Sequence, residues 1–498
     1  MFAFFKALRA FLLYYYTIDA IGRAVFMRDG RNVSGGAEGG RGRGAEAGRR
    51  TQGERGPRVR LEVSALSSDG AGIARTANGV VFVTGALPGE SVTAEITSRH
   101  RDFSTARTLS VERPAEGRTE PRCPHYGRCG GCQLQHAAYP LQLKLKAALV
   151  RDAMTRIGGF SPDLFEELEC VPSPQSWGYR NKASFPVQSI RGQIVAGFYR
   201  AGTHRLERLQ ECPVNAAPLN ALYRTVLGGL KDLPFDGYDE RTQEGKLRHI
   251  VMRAGLNTGQ TLLSFVLNGR LAARGIKALA VLGARARPTT LTLNHNSRPG
   301  NVILGPHTEA LSGDGRIAEK LGPWTLAFDT TSFFQVNTAQ AERLFRYAVH
   351  QAEDAGELLE LYSGVGSMTC YLTERGAVTS VEEWRSAVQM AERNLKANGL
   401  NVRTLCGRAE DVVEELHGGY GAVVMDPPRD GCARPVLEAV ARFGAPRVVY
   451  VSCNPATLAR DCKILAGHGY RLQTIRAFDM FPQTAHVETV VLMSRGKN

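Results

Sequence analysis

The cysteine at position 453 is the residue of this chain best placed for covalent chemistry. It follows residues 447–451, an apolar run that predicts a strand, and Asn454-Pro455 then predicts a turn into a helix starting near Ala456. In an α/β sheet, a side chain at the carboxyl end of a strand faces the crevice in which such folds bind ligands. A helix N-terminus also lowers the pKa of a thiol and favours the thiolate. The pattern therefore predicts a nucleophile that bonds transiently to its substrate, although burial for packing is the usual role of a cysteine.

A glycine-rich turn and two acidic residues indicate a nucleotide-like ligand. Residues 358–362 predict a strand that runs into Gly364-Val365-Gly366, and such glycines let a ligand approach the backbone closely. The full dinucleotide-binding pattern is absent, because Thr369 stands where the third glycine would be. Glu382 ends the next predicted strand, where a carboxylate can accept hydrogen bonds from ribose hydroxyls. Asp426-Pro427-Pro428 follows a further strand on a loop that the prolines fix. Together these features resemble an S-adenosylmethionine site.

Three cysteines close together in the sequence indicate a metal or cluster site. Cys123, Cys129 and Cys132 have the spacing C-x5-C-x2-C, and the glycines between them let the loop wrap around a bound group. Three thiolates need a fourth ligand. Spacing alone leaves both an iron–sulfur cluster and a zinc ion open.

The elements that must position these residues indicate several domains. Residues 326–498 show the strand–helix alternation of a doubly wound, Rossmann-like α/β domain. Its expected strands cover residues 358–362 and 379–382, end at Met425 and Val451, and include residues 489–493, which we expect to close the sheet.

The preceding part of the chain divides into three regions. Residues 1–58 combine an apolar N-terminal appendage with a Gly/Arg-rich stretch, which is too poor in apolar side chains to fold and is expected to be a disordered linker. Residues 59–113 predict five short strands, with a hairpin turn at Asn78-Gly79, and therefore a small β-barrel of the oligonucleotide-binding type. The order of their motifs resembles the TRAM domain, a small RNA-binding barrel. Residues 114–325 mix strands with helices and predict an α+β middle domain that contains the cysteine cluster.

From residue 59 onward, the motifs resemble the uridine-5 RNA methyltransferase family. The matching motifs are residues 426–429, 451–461 and 486–488. In that family the nucleophile matches Cys453 and the base that removes the C5 proton matches Glu488. The resemblance also implies contacts to S-adenosylmethionine from Gln335, Tyr362, Ser367, Glu382 and Asp426, and a [4Fe-4S] cluster on Cys123, Cys129, Cys132 and Cys212. The sequence departs from the usual pattern at three places. Glu360 stands where Asp is common, Gly407-Arg408 falls where an acid or amide usually contacts the adenine side after the third strand, and Ser367 stands where Asn is more usual.

The chemistry of this family explains why a thiol and a carboxylate are both needed. C5 of uracil is a poor nucleophile, but addition of a thiolate to C6 makes C5 enolate-like and able to accept a methyl group. A base must then remove the C5 proton so that the thiol can leave. The uracil has to leave its base stack to reach Cys453.

Composition agrees with an RNA partner. The chain has 62 Lys and Arg residues against 48 Asp and Glu residues, a net charge of +14, which favours a polyanion. No run approaches the ~20 apolar residues that a membrane-spanning helix needs, so we expect a cytoplasmic protein, acting as a monomer, with no membrane partner. Relatives that act on tRNA usually lack the barrel and the cluster, so the resemblance favours 23S ribosomal RNA over tRNA.

Four other functions remain as alternatives. The first is uridine-5 methylation of tRNA. The second is an RNA-binding protein without activity, which the joint presence of Cys453, Glu488 and Asp426 disfavours. The third is a radical methylthiotransferase, since those enzymes also carry a TRAM barrel, but they need C-x3-C-x2-C. The fourth is cytosine-5 methylation, in which the thiol usually follows a proline, whereas Ser452 precedes it here.

Overall fold

The computed structural model describes residues 56–353 and 355–496. The expected appendage and linker at residues 1–58 therefore lie almost entirely outside the described residues. No helix in the described ranges is long and apolar enough to cross a membrane.

The first described unit is a closed five-stranded barrel, with strand order β1-β2-β3-β5-β4. Its strands are β1 (Arg58–Leu66), β2 (Gly72–Thr76), β3 (Gly79–Thr84), β4 (Ser91–Arg99) and β5 (Phe103–Arg113). Alternation builds the barrel: Leu61 and Val63 point into its core while Arg60 and Glu62 face outward. The predicted small β-barrel is confirmed, including the hairpin turn at Asn78-Gly79 between β2 and β3.

Helix α1 (Tyr139–Arg156) and the short strand β6 (Cys170–Val171) follow the cysteine loop. A sequence-based domain boundary at residue 325 placed both in the middle domain, but both pack on the C-terminal sheet. Val150 and Met154 of α1 lie in the same hydrophobic cluster as Leu458 of the C-terminal domain. Strand β6 has only two residues, so no periodic pattern in the sequence could reveal it.

The middle domain is a seven-stranded sheet of order β13-β12-β11-β10-β7-β8-β9, with two helices packed on it. Its elements are β7 (Lys182–Ile190), β8 (Gln193–Tyr199), β9 (Leu206–Arg208), α2 (Ala217–Gly229), β10 (Leu247–Ala254), β11 (Thr261–Leu267), α3 (Ala273–Ala286), β12 (Thr290–His295) and β13 (His307–Ser312). The arrangement is α+β, as predicted. A separate antiparallel hairpin follows, formed by β14 (Arg316–Leu321) and β15 (Trp324–Asp329).

The C-terminal domain is an eight-stranded sheet of order β18-β17-β16-β19-β20-β22-β21-β6. Its elements are α4 (Thr338–Ala352), β16 (Gly356–Leu361), α5 (Ser367–Leu372), β17 (Gly376–Glu382), α6 (Arg385–Ala397), β18 (Arg403–Cys406), α7 (Ala409–Glu415), β19 (Ala422–Met425), α8 (Arg434–Phe443), β20 (Arg447–Ser452), α9 (Pro455–Gly467), β21 (Arg471–Phe478) and β22 (Glu488–Ser494). Helices α4, α5 and α6 cover one face, and α1, α7, α8 and α9 cover the other. The doubly wound methyltransferase-type fold is therefore confirmed.

One strand lies elsewhere in the sheet than expected. The strand predicted at residues 489–493 does not close the sheet, because β22 pairs with β20 on one side and β21 on the other. Strand β21 alternates exposed and half-buried residues over most of its length, as suits a strand near a sheet edge, and β6 covers that edge.

Candidate active site

Five strands bring the predicted site residues to one edge of the C-terminal sheet. Strands β16, β17, β19 and β20 are parallel, so their carboxyl ends meet at the same edge. Tyr362, Glu382, Asp426 and Cys453 stand at or directly after those ends. Strand β22 runs antiparallel to β20, and its first residue, Glu488, therefore reaches the same edge.

Cys453 and Glu488 are opposite each other on neighbouring strands. Ser452 pairs with Thr489 in the ladder between β20 and β22, and continuing that register by one residue sets Cys453 against Glu488. Directly opposite residues of an antiparallel pair have Cβ atoms about 4.5–5.5 Å apart. A thiol and a carboxyl so close can act on two adjacent atoms of one ring.

The Cys453 thiol is held in its neutral form. Burial raises its pKa well above the usual value, the carboxyls of Glu488 and Asp426 raise it further, and the Arg429 guanidinium opposes them. The pKa of this thiol is therefore raised, not lowered as the helix N-terminus alone predicts, because burial and the two carboxyls raise it. The thiol is nevertheless partly accessible at the surface.

Glu488 experiences the same influences as the thiol. Burial raises the pKa of its carboxyl well above the usual value, Asp426 adds to the rise, and Arg429 again opposes it. A carboxylate whose proton affinity is raised in this way is a stronger base than one in water.

Arg429 is the cation of the site, and its function was not predicted from the sequence. Its backbone carbonyl accepts hydrogen bonds from Asn454 Nδ2 at 3.0 Å and Thr457 Oγ1 at 3.1 Å, which fixes the loop after β19 to the start of α9. Its Nη2 lies 3.3 Å from Nδ1 of His486. Burial, with Arg429 nearby, lowers the pKa of His486 to about 3, so this imidazole is neutral and can accept from the guanidinium. The sequence feature that could have indicated this contact is the position of His486 two residues before Glu488.

The carboxyls of Glu360, Glu382 and Asp426 form an acidic group beside the glycine turn, and Asp426 also lies near Cys453 and Glu488. Burial raises the pKa of Asp426 to about 7. Burial also raises the pKa of Glu360 to about 8, with Asp426 and Glu382 contributing. Three carboxyls this close disfavour one another's ionisation and favour a cationic ligand.

The glycine turn itself is built for close approach. Glu382 accepts hydrogen bonds from the backbone N–H groups of Gly364 and Trp384, both at 2.9 Å, and so holds the turn against the next strand. Gly366 precedes Ser367, the first residue of α5, and has φ +82°. Tyr362 also has a positive φ, +66°, which is strained for a residue with a side chain.

Two of the predicted donor contacts, Tyr362 and Gln335, make contacts within the protein. The Tyr362 ring packs into the hydrophobic core, with its hydroxyl beside the thiol of Cys432. Gln335 is buried just before α4, and its backbone carbonyl accepts a hydrogen bond from Asn181 Nδ2 at 2.9 Å. The roles of Gln335, Tyr362 and Ser367 toward a donor remain predictions.

The four predicted cluster cysteines line one cavity between the cysteine loop and the middle domain. The residues are Cys123, Cys129, Cys132 and Cys212. Burial raises the pKa of the Cys132 thiol, and the neighbouring thiols of the other three raise it further, which shows how close they are. The backbone N–H of Gly131 donates to Cys129 Sγ at 3.4 Å. Within residues 56–353 and 355–496, no three Cys, His, Asp or Glu side chains converge in a way that could hold a metal ion. This finding gives no geometric support to a zinc ion or to an iron–sulfur cluster.

Comparison with known proteins identifies two families along the chain. The family described as tRNA (uracil-5-)-methyltransferase matches residues 138–496, and the TRAM domain matches residues 52–109. An RNA methyltransferase of Gloeobacter violaceus, described as uncharacterized, is 38% identical over 462 residues, covering 91% of this chain and 99% of its own. One of Thermosynechococcus vestitus, also described as uncharacterized, is 38% identical over 448 residues, covering 89% and 99%.

A solved structure resembles the chain over most of its length. It is the tRNA (uracil-54, C5)-methyltransferase of Pyrococcus abyssi in complex with S-adenosyl-L-homocysteine, with 27% identity and a TM-score of 0.70. The match covers 87% of this chain and 100% of the other.

Proposed function

The chain belongs to the tRNA (uracil-5-)-methyltransferase family and is an RNA methyltransferase of the uracil-5 type, and from this premise we propose its mechanism. We propose that it methylates C5 of a uridine in RNA, with Cys453 as nucleophile and Glu488 as base. The observation that carries the proposal is the register of β20 and β22, which sets these two residues opposite each other, with Asp426 beside both.

The first step is addition of Cys453 to the uracil ring. The sulfur forms a bond to C6, and the π electrons of the C5–C6 double bond move to C5 and the C4 carbonyl. C5 then takes the methyl group, and the bond between that methyl and the donor sulfur breaks with its electrons left on the donor. The thiol must lose its proton first; water that reaches the partly accessible Cys453 takes that proton, and Arg429 favours the thiolate.

The second step restores the ring. Glu488 accepts the proton from C5, the electrons of that C–H bond re-form the C5–C6 double bond, and the bond from C6 to the sulfur of Cys453 breaks to release the thiolate. A carboxylate with a raised pKa suits the removal of a proton from carbon.

S-adenosylmethionine fits the acidic group beside the glycine turn, and the family's solved relative carries its demethylated product. When bound, this donor supplies an electrophilic methyl group on a positively charged sulfur. Glu360, Glu382 and Asp426 would balance that charge, because all three are buried carboxyls whose ionisation a nearby cation favours. Gln335, Tyr362 and Ser367 complete the proposed donor site.

We further propose that Cys123, Cys129, Cys132 and Cys212 hold a [4Fe-4S] cluster. Four thiols around one cavity, with a backbone N–H directed at one sulfur, suit a cluster, which is wider than a single ion. Methyl transfer needs no electron, so the cluster would support folding and RNA docking.

For the RNA substrate we propose 23S ribosomal RNA, and tRNA is a second candidate that one observation favours. The tRNA enzyme of Pyrococcus abyssi matches 87% of this chain, more than the C-terminal domain alone supplies, so an extended architecture is compatible with a tRNA target. Mapping 5-methyluridine in both RNAs from a deletion strain, complemented with wild type or Cys453→Ser, distinguishes them. The mark should vanish from one RNA and return only with wild type.

The mechanism is tested by Glu488→Gln. This variant should still form the covalent bond to C6 but should release it slowly, so a protein–RNA species should appear on denaturing gels with radiolabelled RNA. The matched control is the double variant Cys453→Ser/Glu488→Gln, which should show no such species. Release from Glu488→Gln at the wild-type rate would remove Glu488 from the role of base.

A further inference from the structure

The segment that leads to Glu488 is irregular and yet entirely buried. Residues 479–487, the base loop, join β21 to β22, and all nine are buried. Connecting segments usually run over the surface, because buried backbone N–H and carbonyl groups need partners. In the base loop those partners come from other parts of the chain, so residues outside the loop fix its path.

The centre of this arrangement is a pair of glutamines. Gln142 of α1 accepts the backbone N–H of Gln483 at 2.9 Å through Oε1, and its Nε2 donates to Gln483 Oε1 at 3.0 Å. Both side chains are buried. Gln483 has φ +73°, a backbone conformation that costs about 1 kcal/mol or more in a residue with a side chain. The two hydrogen bonds from Gln142 hold Gln483 in that conformation.

Five further contacts hold the base loop. The carbonyl of Gln483 accepts the backbone N–H groups of Gln133 and Leu134, at 3.1 and 2.9 Å, and these residues directly follow the cysteine loop. The carbonyl of Pro482 accepts the hydroxyl of Tyr179 at 3.0 Å. Lys146, one turn after Gln142 on α1, donates to the carbonyl of Phe481 at 3.0 Å and pairs with Asp479 in a fully buried ion pair.

The base depends on this loop because of its place in the sheet. Glu488 is the first residue of β22 and pairs with Phe478 of β21, so ladder pairing fixes Glu488 itself and the chain on its carboxyl side. On its amino side the chain is positioned by the base loop. Cys453 directly follows β20 on the turn into helix α9, and no hydrogen bond among the described residues joins it to Gln142 or Gln483.

We propose that Gln142 is a positioning residue for the base, acting through Gln483 to set the place of Glu488 over C5 of the target ring. The proposal rests on the proposed function of Glu488. It implies that loss of Gln142 slows proton removal from C5 while addition of Cys453 to C6 and methyl transfer continue at the wild-type rate.

Two RNA substrates separate these steps. In RNA that carries 5-fluorouridine, fluorine cannot leave as a cation, so the methylated adduct is trapped and its rate of formation reports the steps before proton removal. In RNA that carries 5-tritiated uridine, tritium release reports proton removal itself. Gln142→Met keeps the length of the side chain and loses both hydrogen bonds to Gln483, together with the one to the carbonyl of Ala137. In this variant trapping should be unchanged and tritium release should fall by about 10- to 100-fold, as a misplacement of about 1 Å would cause.

The matched control is Asn294→Leu. Asn294 is a buried amide that donates to Gly305 and accepts from it, but it lies in the middle domain, on β12. This variant removes comparable hydrogen bonds and should not change the ratio between the rate of adduct trapping and the rate of tritium release. If Gln142→Met lowers trapping and tritium release equally, Gln142 has a structural role and the proposal is overturned.

A second variant covers the case in which Gln142→Met does not fold. Gln483→Gly suits the positive φ, keeps the backbone N–H for Gln142 and loses only the side-chain amide. It should separate the rates in the same direction by a smaller factor, and a folded Gln483→Gly enzyme with both rates unchanged would overturn the proposal. Glu488→Gln serves as the reference: if it releases tritium at the wild-type rate, the proposed base is wrong, independently of Gln142.

Discussion

At the scale of single residues, the Arg429 guanidinium opposes the raised pKa of two acids, the Cys453 thiol and the Glu488 carboxyl. Burial and Asp426 raise the pKa of both the Cys453 thiol and the Glu488 carboxyl, and Arg429 lowers both. A positively charged methyl donor bound at the same edge would act in the same direction as Arg429. We therefore expect occupancy of the donor site to favour formation of the thiolate, which would limit unproductive reaction of the thiol.

The nucleophile is tested by Cys453→Ser. A serine hydroxyl is a far weaker nucleophile at neutral pH, so methyl transfer to RNA should fall by about 10⁴-fold or more while S-adenosylhomocysteine still binds. Isothermal calorimetry measures the binding, and transfer of a radiolabelled methyl group measures the activity. Cys406→Ser is the matched control, because Cys406 is exposed at the end of β18, and it should keep wild-type activity.

Asp426 should make the ligand-free enzyme less stable as the pH rises. Burial raises its pKa to about 7, so the folded protein keeps this proton where the unfolded chain, with an ordinary pKa near 4, has lost it. The stabilisation that the higher proton affinity of Asp426 gives to the folded protein is complete below about pH 4 and is lost as the pH rises toward 7. Asp426→Asn cannot ionise, so its melting temperature should exceed that of wild type by a few degrees at pH 8 and approach it at pH 5.

Differential scanning fluorimetry across this pH range measures the effect. Asp102→Asn is the control, since Asp102 is almost fully exposed and should leave the profile unchanged. A constant offset between Asp426→Asn and wild type at every pH would contradict the assignment.

The sequence predicts the residues proposed to react, but it does not predict the contacts that set their positions and their pKa values. Cys453 and Glu488 belong to short motifs, and the ends of predicted strands place them at one edge. The pairing of Gln142 with Gln483 spans 341 positions, and no local pattern encodes it. The predicted direction of the pKa shift of Cys453 was wrong, because the shift depends on burial by residues from several strands.

At the scale of elements, α1 connects the cysteine loop with the catalytic sheet. It packs on the C-terminal domain and carries both Gln142 and Lys146, which bind the base loop. The residues just before α1 bind the same loop through Gln133 and Leu134. Residues 133–134 and helix α1 therefore link the proposed cluster site to the base loop, and the base loop leads to the proposed base, Glu488.

The cluster proposal is tested with Cys212→Ser. Wild type purified without oxygen should contain about four iron and four sulfide per chain and show the visible absorbance of such clusters, and the variant should lose most of both. Iron and sulfide analysis with absorbance spectroscopy decides the matter, and Cys406→Ser should match wild type. One equivalent of zinc in wild type, with no iron, would contradict the proposal.

Prediction of the elements succeeded where periodicity was strong. The barrel, the helices of the middle domain and the parallel strands of the C-terminal sheet follow from alternation and from strand–helix order. The order of β22 and β21 in the sheet and the two-residue β6 do not, because hydrogen bonding between distant segments decides them.

At the scale of the whole molecule, the barrel lies directly against the catalytic part. Gly70, with φ +84°, sits so close to Gln133 that a Cβ at this position would be 2.6 Å from its side chain, and Ala485 of the base loop is the next neighbour. We therefore expect RNA that the barrel holds to lie near the sheet edge. The net charge of +14 favours that encounter over the whole surface.

The turn between β4 and β5 is expected to contact phosphates. Arg99 and Arg101 are exposed there, beside the stacked rings of His100 and Phe103. Arg99→Ala/Arg101→Ala should weaken RNA binding and reduce the slope of log affinity against log salt by about 1–2. Filter binding at several salt concentrations measures this slope. Arg274→Ala/Lys277→Ala, which removes two exposed cations from α3, should change neither quantity; equal losses in the two variants would contradict a specific role for the turn.

The position of β22 inside the sheet has a consequence during protein synthesis. It is the last strand of the described chain, yet it must insert between β20 and β21, both of which are translated earlier. Under the proposed mechanism, a nascent polypeptide without residues 488–494 has no Glu488 to accept the proton from C5. We therefore expect an unfinished enzyme to release no methylated product from the RNA around it.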